Sequence, residues 1–156
     1  MKAASIVNIK HELKHKSNAE LEALCLRLAK FKIENKELLT YLLFESHDEN
    51  GYIETVRDYM DEQFELINTS SFFFIKKSVR KILRNKKKYI RYSQNKETEV
   101  ELLLHFCYKL KHFSPSINKS VQLVNMYQRQ LQLAKKIITT LHEDLQYDYS
   151  IKLENL

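Results

Sequence analysis

The chain has 156 residues with one Gly, one Pro and two Cys, and its 26 Lys and Arg against 20 Asp and Glu give a formal charge of +6. Average usage would supply roughly ten Gly and eight Pro, so a fold built on hairpins or on a Gly-rich phosphate loop is excluded. The length suits a single domain over residues 1–156 with its own core, and a charge excess this small does not by itself imply nucleic acid.

The first helix is expected over about residues 3–15, with no apolar run of signal-peptide length in the first twenty residues. Within it His11-Glu12-Leu13-Lys14-His15 spells H-E-x-x-H, which on a helix sets two imidazoles one turn apart for zinc, with the Glu as general base. The wheel speaks against that use. Ile6, Ile9 and Leu13 share one face, and His11 and His15 fall on the opposite, polar one. A zinc-dependent hydrolase through His11, Glu12 and His15 is therefore a remote alternative, and a di-iron site from Glu12 and His15 lacks its second E-x-x-H.

Ser17 and Glu20 form a capping box ahead of Leu21, Leu24, Cys25 and Leu28, which recur at helical spacing. Asn35 reads as the next cap, before "KELLTYLLFES", and "HDENG" as a loop in which Gly51 supplies the permissive turn residue. Residues 52–67 predict an amphipathic helix. Tyr52, Val56, Tyr59, Met60 and Ile67 line one face, with Glu54, Asp58, Asp61, Glu62 and Glu65 on the other. "NTSS" then offers caps for a helix over 71–92.

After "SQN", "KETEVELLLHFCYKLKHF" is apolar nearly all round, the mark of a central helix. Cys107 lies there beside His105 and His112, but it shares the apolar face with Val100, Leu103 and Leu110, so it reads as an inert core thiol; Cys25 reads likewise. A last long helix is expected over 117–145. Its heptad seam of Val124, Tyr127, Leu131, Ala134, Ile138, Leu141 and Leu145, flanked by Gln128, Gln130 and Gln132, is expected to pack on the protein's own helices, with a dimerising coiled coil as the alternative. "YDYSIKLENL" frays or docks as a closing element.

The feature least like a generic helical domain is the helix 71–92. Nine basic residues and no acid stand between Lys76 and Arg91. Eight of them (Lys76, Lys77, Arg80, Lys81, Arg84, Lys87, Lys88 and Arg91) fall within an arc of about 140°, and only Lys86 lies outside it. Phe72, Ile75, Val79, Ile82, Leu83 and Ile90 form the opposing apolar stripe. Such a ridge can follow a nucleic-acid backbone, with Tyr89 and Tyr92 stacking on unpaired bases. It can lie on acidic lipid, meet an acidic protein surface, pair with the acid-rich stretch 45–65 of its own chain, or be solvated.

The opening "IKHELKHKSNAELEALCLRLAKFKIENKELLTYLLF" resembles the start of a family of short, all-helical bacterial proteins that form a domain of unknown function. "YIRYSQNKETEVELLLHFC" carries a weaker similarity. The resemblance rests on helix caps and Leu spacing, implies a cytoplasmic helical protein, and transfers no functional residue.

The expectation is an all-α fold of about six helices, a helical bundle or short α-solenoid, with no cofactor, no membrane span and no small-molecule substrate identified. As a function it is a non-enzymatic protein-interaction or self-associating domain, whose partner is another protein or a second copy. The alternative is RNA or DNA binding by the same ridge.

Overall fold

A computed structural model describes all of residues 1–156 as helices and connections, with no strand. There are eight α-helices: α1 Ile6–Leu13, α2 Asn18–Phe31, α3 Ile33–Thr40, α4 Glu49–Glu65, α5 Phe72–Ser93, α6 Lys96–Lys111, α7 Val121–Ile138 and α8 Glu143–Glu154. None is long and apolar enough to cross a membrane. The count exceeds the expected six in part because the last long helix is divided into α7 and α8. The chain forms two compact units, Met1–Phe44 and Glu45–Leu156.

In the first unit the capping box at Ser17 is present in full. Ser17 Oγ accepts from the Glu20 amide at 3.2 Å, and the Glu20 carboxylate accepts from the Ser17 amide at 2.8 Å. Asn35 is not a cap. α3 starts earlier, at Ile33 after an extended Lys32, and the Asn35 amide donates instead to the Leu28 carbonyl of α2 at 2.8 Å. Cys25 is exposed rather than buried, lining an open apolar hollow between α2 and α3 with Leu28, Leu38 and Leu42. The physical reason is size: a 44-residue unit has too little chain to wall off the faces of its own helices.

The second unit is a bundle around α6. Val100, Leu102, Leu103, Leu104, Phe106, Cys107 and Leu110 of that helix are all buried, each full burial of a Leu contributing about 2 kcal/mol. α4, α5 and α7 pack on it. α4 begins three residues before its expected start, because Asp48 caps it by accepting from the Gly51 amide at 3.0 Å. Gly51 thus stands in the first helical turn and not in a loop, and a Cβ there would meet the Asp48 carboxylate at 2.4 Å.

α4 and α5 run antiparallel, as three side-chain bonds between them record. Ser93 donates to Glu49 (2.8 Å), the Tyr52 hydroxyl to the Tyr89 carbonyl (3.0 Å) and Asn85 to the Tyr59 hydroxyl (2.5 Å). The expected heptad seam does pack internally, with Ala134 and Ile138 buried against Val100, Leu103 and Leu104. It is not carried by one helix, however. α7 stops at Ile138, where the Thr139 and Thr140 hydroxyls bond the carbonyls of Lys136 and Ile137, and the seam resumes through Leu141, Leu145 and Tyr149 towards and along α8. The carboxy-terminal stretch is therefore a docked helix with Tyr149 buried.

Candidate functional site

α5 is set by a short cap and a long core row. Ser71 Oγ accepts from the Phe74 amide at 3.4 Å to start it, and Ile75, Val79 and Ile82 sink into the bundle at spacings of four and three. The next position in that row is Lys86. It is fully buried, and its ammonium donates to Gln130 Oε1 of α7 at 2.9 Å and lies 4.6 Å from the centre of the Phe106 ring. Burial lowers its pKa to about 7, with Lys87 pushing the same way and Cys107 and Glu99 pulling back. Gln130, read from the sequence as a polar flank, is buried because it is the partner of this one cation.

The other eight basic residues form the outer face. Lys77, Arg80, Lys81, Arg84, Lys87 and Arg91 are exposed, and Lys76 and Lys88 are half-buried. Lys88 lies over the ring of Tyr89 at 5.2 Å. Lys76, Lys77, Arg80, Lys81, Arg84, Lys87 and Arg91 have no carboxylate within ion-pairing distance. The acids of α4 do not serve them. Glu54 pairs with Arg57, Asp61 with His105 (2.6 Å) and Lys109 (3.4 Å), and Glu49 accepts from Ser93 and Thr98. Antiparallel packing through apolar faces turns the two charged faces away from each other, so the expected pairing between 45–65 and the ridge does not form for these seven.

Two adjoining hollows run along this face. One, of about 420 Å³, is lined by Arg80, Leu83, Arg84, Lys87 and Arg91. The other, of about 520 Å³, is lined by Lys76, Lys77, Arg80, Lys81 and Arg84, with Phe73 and, from α7, Gln122. Arg80 and Arg84 border both. Phe73 is 67% exposed. It was not among the sequence candidates, although residues 73, 76, 77, 80, 84, 87 and 91 share one helix face and the wheel alone places it mid-arc. Tyr89 and Tyr92 are not stacking platforms on that face. Tyr89 turns to the neighbouring α4, its ring edge-on to Tyr59 at 5.5 Å, and Tyr92 packs edge-on against Tyr89 at 6.1 Å, both half-buried.

The remaining sequence candidates resolve into local contacts. α1 ends at Leu13, so H-E-x-x-H straddles a helix end. The His11 and His15 rings meet edge-on at 4.9 Å, and His11 Nδ1 contacts its neighbour Glu12 at 3.3 Å. No group of three or more His, Cys, Asp or Glu is placed so that it could hold a metal ion. Cys107 is buried, its Sγ 3.9 Å from the Tyr127 carbonyl, and burial raises its pKa to about 11. Its sequence neighbours turn elsewhere, His105 to Asp61 and His112 to the Tyr108 carbonyl.

A polar knot missed by the sequence reading centres on Glu101, which receives Arg57, Lys152 and the Tyr149 hydroxyl (2.9 Å). Burial works to raise the Glu101 carboxyl, but Lys152, Tyr149 and Arg57 together hold it below its ordinary value. Its donors come from α4 and α8, so the knot ties both ends of the second unit to α6. Glu101 and Lys152 lie far apart in sequence, and no local motif announces their meeting. A comparison with known proteins found no matching protein family, no matching curated protein and no matching solved structure.

Proposed function

We propose that this chain is a non-catalytic binding protein whose working surface is the outer face of α5 and whose ligand is the phosphate backbone of a nucleic acid. One observation carries the reading: seven cations on a single rigid face have no acid of their own chain to pair with. Like charges set this close repel, and an arrangement that costs folding energy finds its return in an anionic ligand. From Lys76 to Arg91 the row extends about 22 Å, the length of several phosphates along one strand. Arg80, Arg84 and Arg91 add planar forks suited to phosphate oxygens.

The test is a binding titration with labelled nucleic acid at several salt concentrations. Seven phosphate contacts predict that log K falls with log salt at a slope of about −5 on a single strand and about −6 on a duplex. Replacing Lys81, Arg84 and Lys87 by Gln should reduce that slope by about 2 to 3. Absence of binding by the native protein at low salt sinks the reading.

A second reading has its own observation. Asp58, Glu62 and Glu65 are exposed on α4 of the same unit, with Glu54 beside them. A second copy could offer this acidic row to the ridge. Self-association of that kind predicts a molar mass, measured by sedimentation, that falls to the monomer value as salt rises.

A further inference from the structure

At its amino-terminal end the cationic face of α5 carries one aromatic side chain. Phe73 stands in the middle of the arc that Lys76, Lys77, Arg80, Arg84, Lys87 and Arg91 occupy, and it forms a wall of the larger hollow. At 67% exposure it is among the barest large apolar side chains of the second unit, and its only ring neighbour is Phe74, edge-on at 5.5 Å. Nothing in the core requires it. The row that anchors α5 runs through Ile75, Val79 and Ile82, on the opposite side of the helix.

We infer that the ligand of this face is a single strand and that Phe73 is the platform on which one of its bases stacks. The inference rests on the nucleic-acid reading above and deepens it. In a duplex the bases are paired and stacked on one another, so an aromatic ring beside the backbone finds no free π-face and only leaves apolar surface in water. A single strand turns its bases out. A groove that tracks phosphates with Lys and Arg and offers an aromatic ring to an unpaired base is how sequence-tolerant single-strand binding is built. Here both parts are on one rigid helix. Phe73 lies about 16 Å along the axis from Arg84 and about 27 Å from Arg91, so a strand whose base rests on the ring has its following phosphates led along the two hollows. At 3.4 Å per stacked nucleotide the face accommodates about eight. The chemistry recognised is a ribose or deoxyribose phosphate backbone plus any base, with no sequence read.

The experiment uses the full chain and two probes, a labelled mixed-sequence single strand of about twelve nucleotides and a duplex of the same length. Native protein is compared with Phe73→Ala, Phe73→Trp and Arg84→Gln, and poly-glutamate serves as competitor. The expected result is tighter binding of the single strand than of the duplex. Phe73→Ala should weaken single-strand binding by about tenfold with the salt slope unchanged, and Phe73→Trp should restore it. Arg84→Gln should instead lower the slope, by about 0.7 on the single strand. Because Phe73 is exposed, its variants keep the fold, which circular dichroism checks.

Equal affinity for the two probes, with no effect of Phe73→Ala, overturns the single-strand inference and leaves the backbone reading standing. No binding of either probe overturns both. Poly-glutamate displacing the strand at equal charge concentration also overturns it, since the face would then be taking an acidic protein.

Discussion

Two regions of α5 hold the same kind of side chain in opposite circumstances. On the outer face seven cations stand in water without an acid partner; on the inner face one, Lys86, is fully buried with a neutral amide and an aromatic ring. A tally of charge along the helix treats all of them alike. The difference lies in register. Lys86 continues the row of Ile75, Val79 and Ile82, and the core takes whatever side chain that row supplies. The comparison teaches that one helix can carry a charge the fold must accommodate and charges that the fold leaves free, and only the second kind is available to a ligand.

The largest expected effect comes from breaking the inner site. Gln130→Leu removes the only hydrogen-bond partner of a buried ammonium and should cost about 3 kcal/mol. Lys86→Met together with Gln130→Leu removes both polar groups and should stabilise the protein by about 1–4 kcal/mol, as burial of a poorly compensated charge predicts. Urea denaturation of the two variants checks both signs. Loss of stability in the double variant would mean that the Lys86–Gln130 pair holds the α5–α7 contact together.

A subtler effect of the same site is its pH dependence. Folded Lys86 loses its proton at about 7, against 10.5 in the unfolded chain. Below about pH 7 both states carry the proton and the burial penalty is complete. As pH rises above 7, the unfolded chain binds a proton that the folded one has shed, so stability must rise. The Cys107 thiol, lifted from 9.0 to about 11 by burial, opposes this trend from about pH 9 upward. Between pH 7 and about pH 8.5 the native protein should therefore gain about 1–2 kcal/mol. The double variant should be flat across that window. A native profile without this rise would show that water reaches the Lys86 ammonium.

The contrast between the two faces also marks how far the sequence could be read. Caps and apolar spacing place most helices to within a few residues, because these are local signals: Ser17 with Glu20, Ser71, and the all-round apolar "ELLLHFCYKL". The break after Ile138 escaped because an intact seam runs through it, and the groups that hold the turn, the Thr139 and Thr140 hydroxyls, Gln146 and the His142 cap, leave no Gly or Pro in the sequence to mark it. Cys25 was misplaced because spacing predicts which face is apolar and not whether the chain is long enough to cover it. The ridge itself was readable, including the exclusion of Lys86 from it. What Lys86 does instead, and that Gln130 is its partner, depends on a contact between residues 44 apart in sequence. Phe73 falls mid-arc on the wheel, and its exposure in the folded chain is what sets it apart from the core aromatics.

The smallest expected change in stability is on the outer face, and there its smallness is the point. Lys81, Arg84 and Lys87 make no ion pair, and the hollows they border are open to water, so replacing all three by Gln removes no interaction of the fold. Surface substitutions of this sort stay within about 0.5 kcal/mol. The sign is nevertheless set: removing three charges from a row of seven relieves repulsion, so the melting temperature should stay level or rise by about a degree or two. The rise should be largest at low ionic strength and vanish near 1 M salt, where the screening length is about 3 Å. Calorimetry of the triple variant at two salt concentrations checks it. A clear loss of stability would mean that these cations are held by the protein itself. A level or salt-sensitive gain, alongside weakened binding to the nucleic-acid probes, separates a face kept for a ligand from charges that serve the fold.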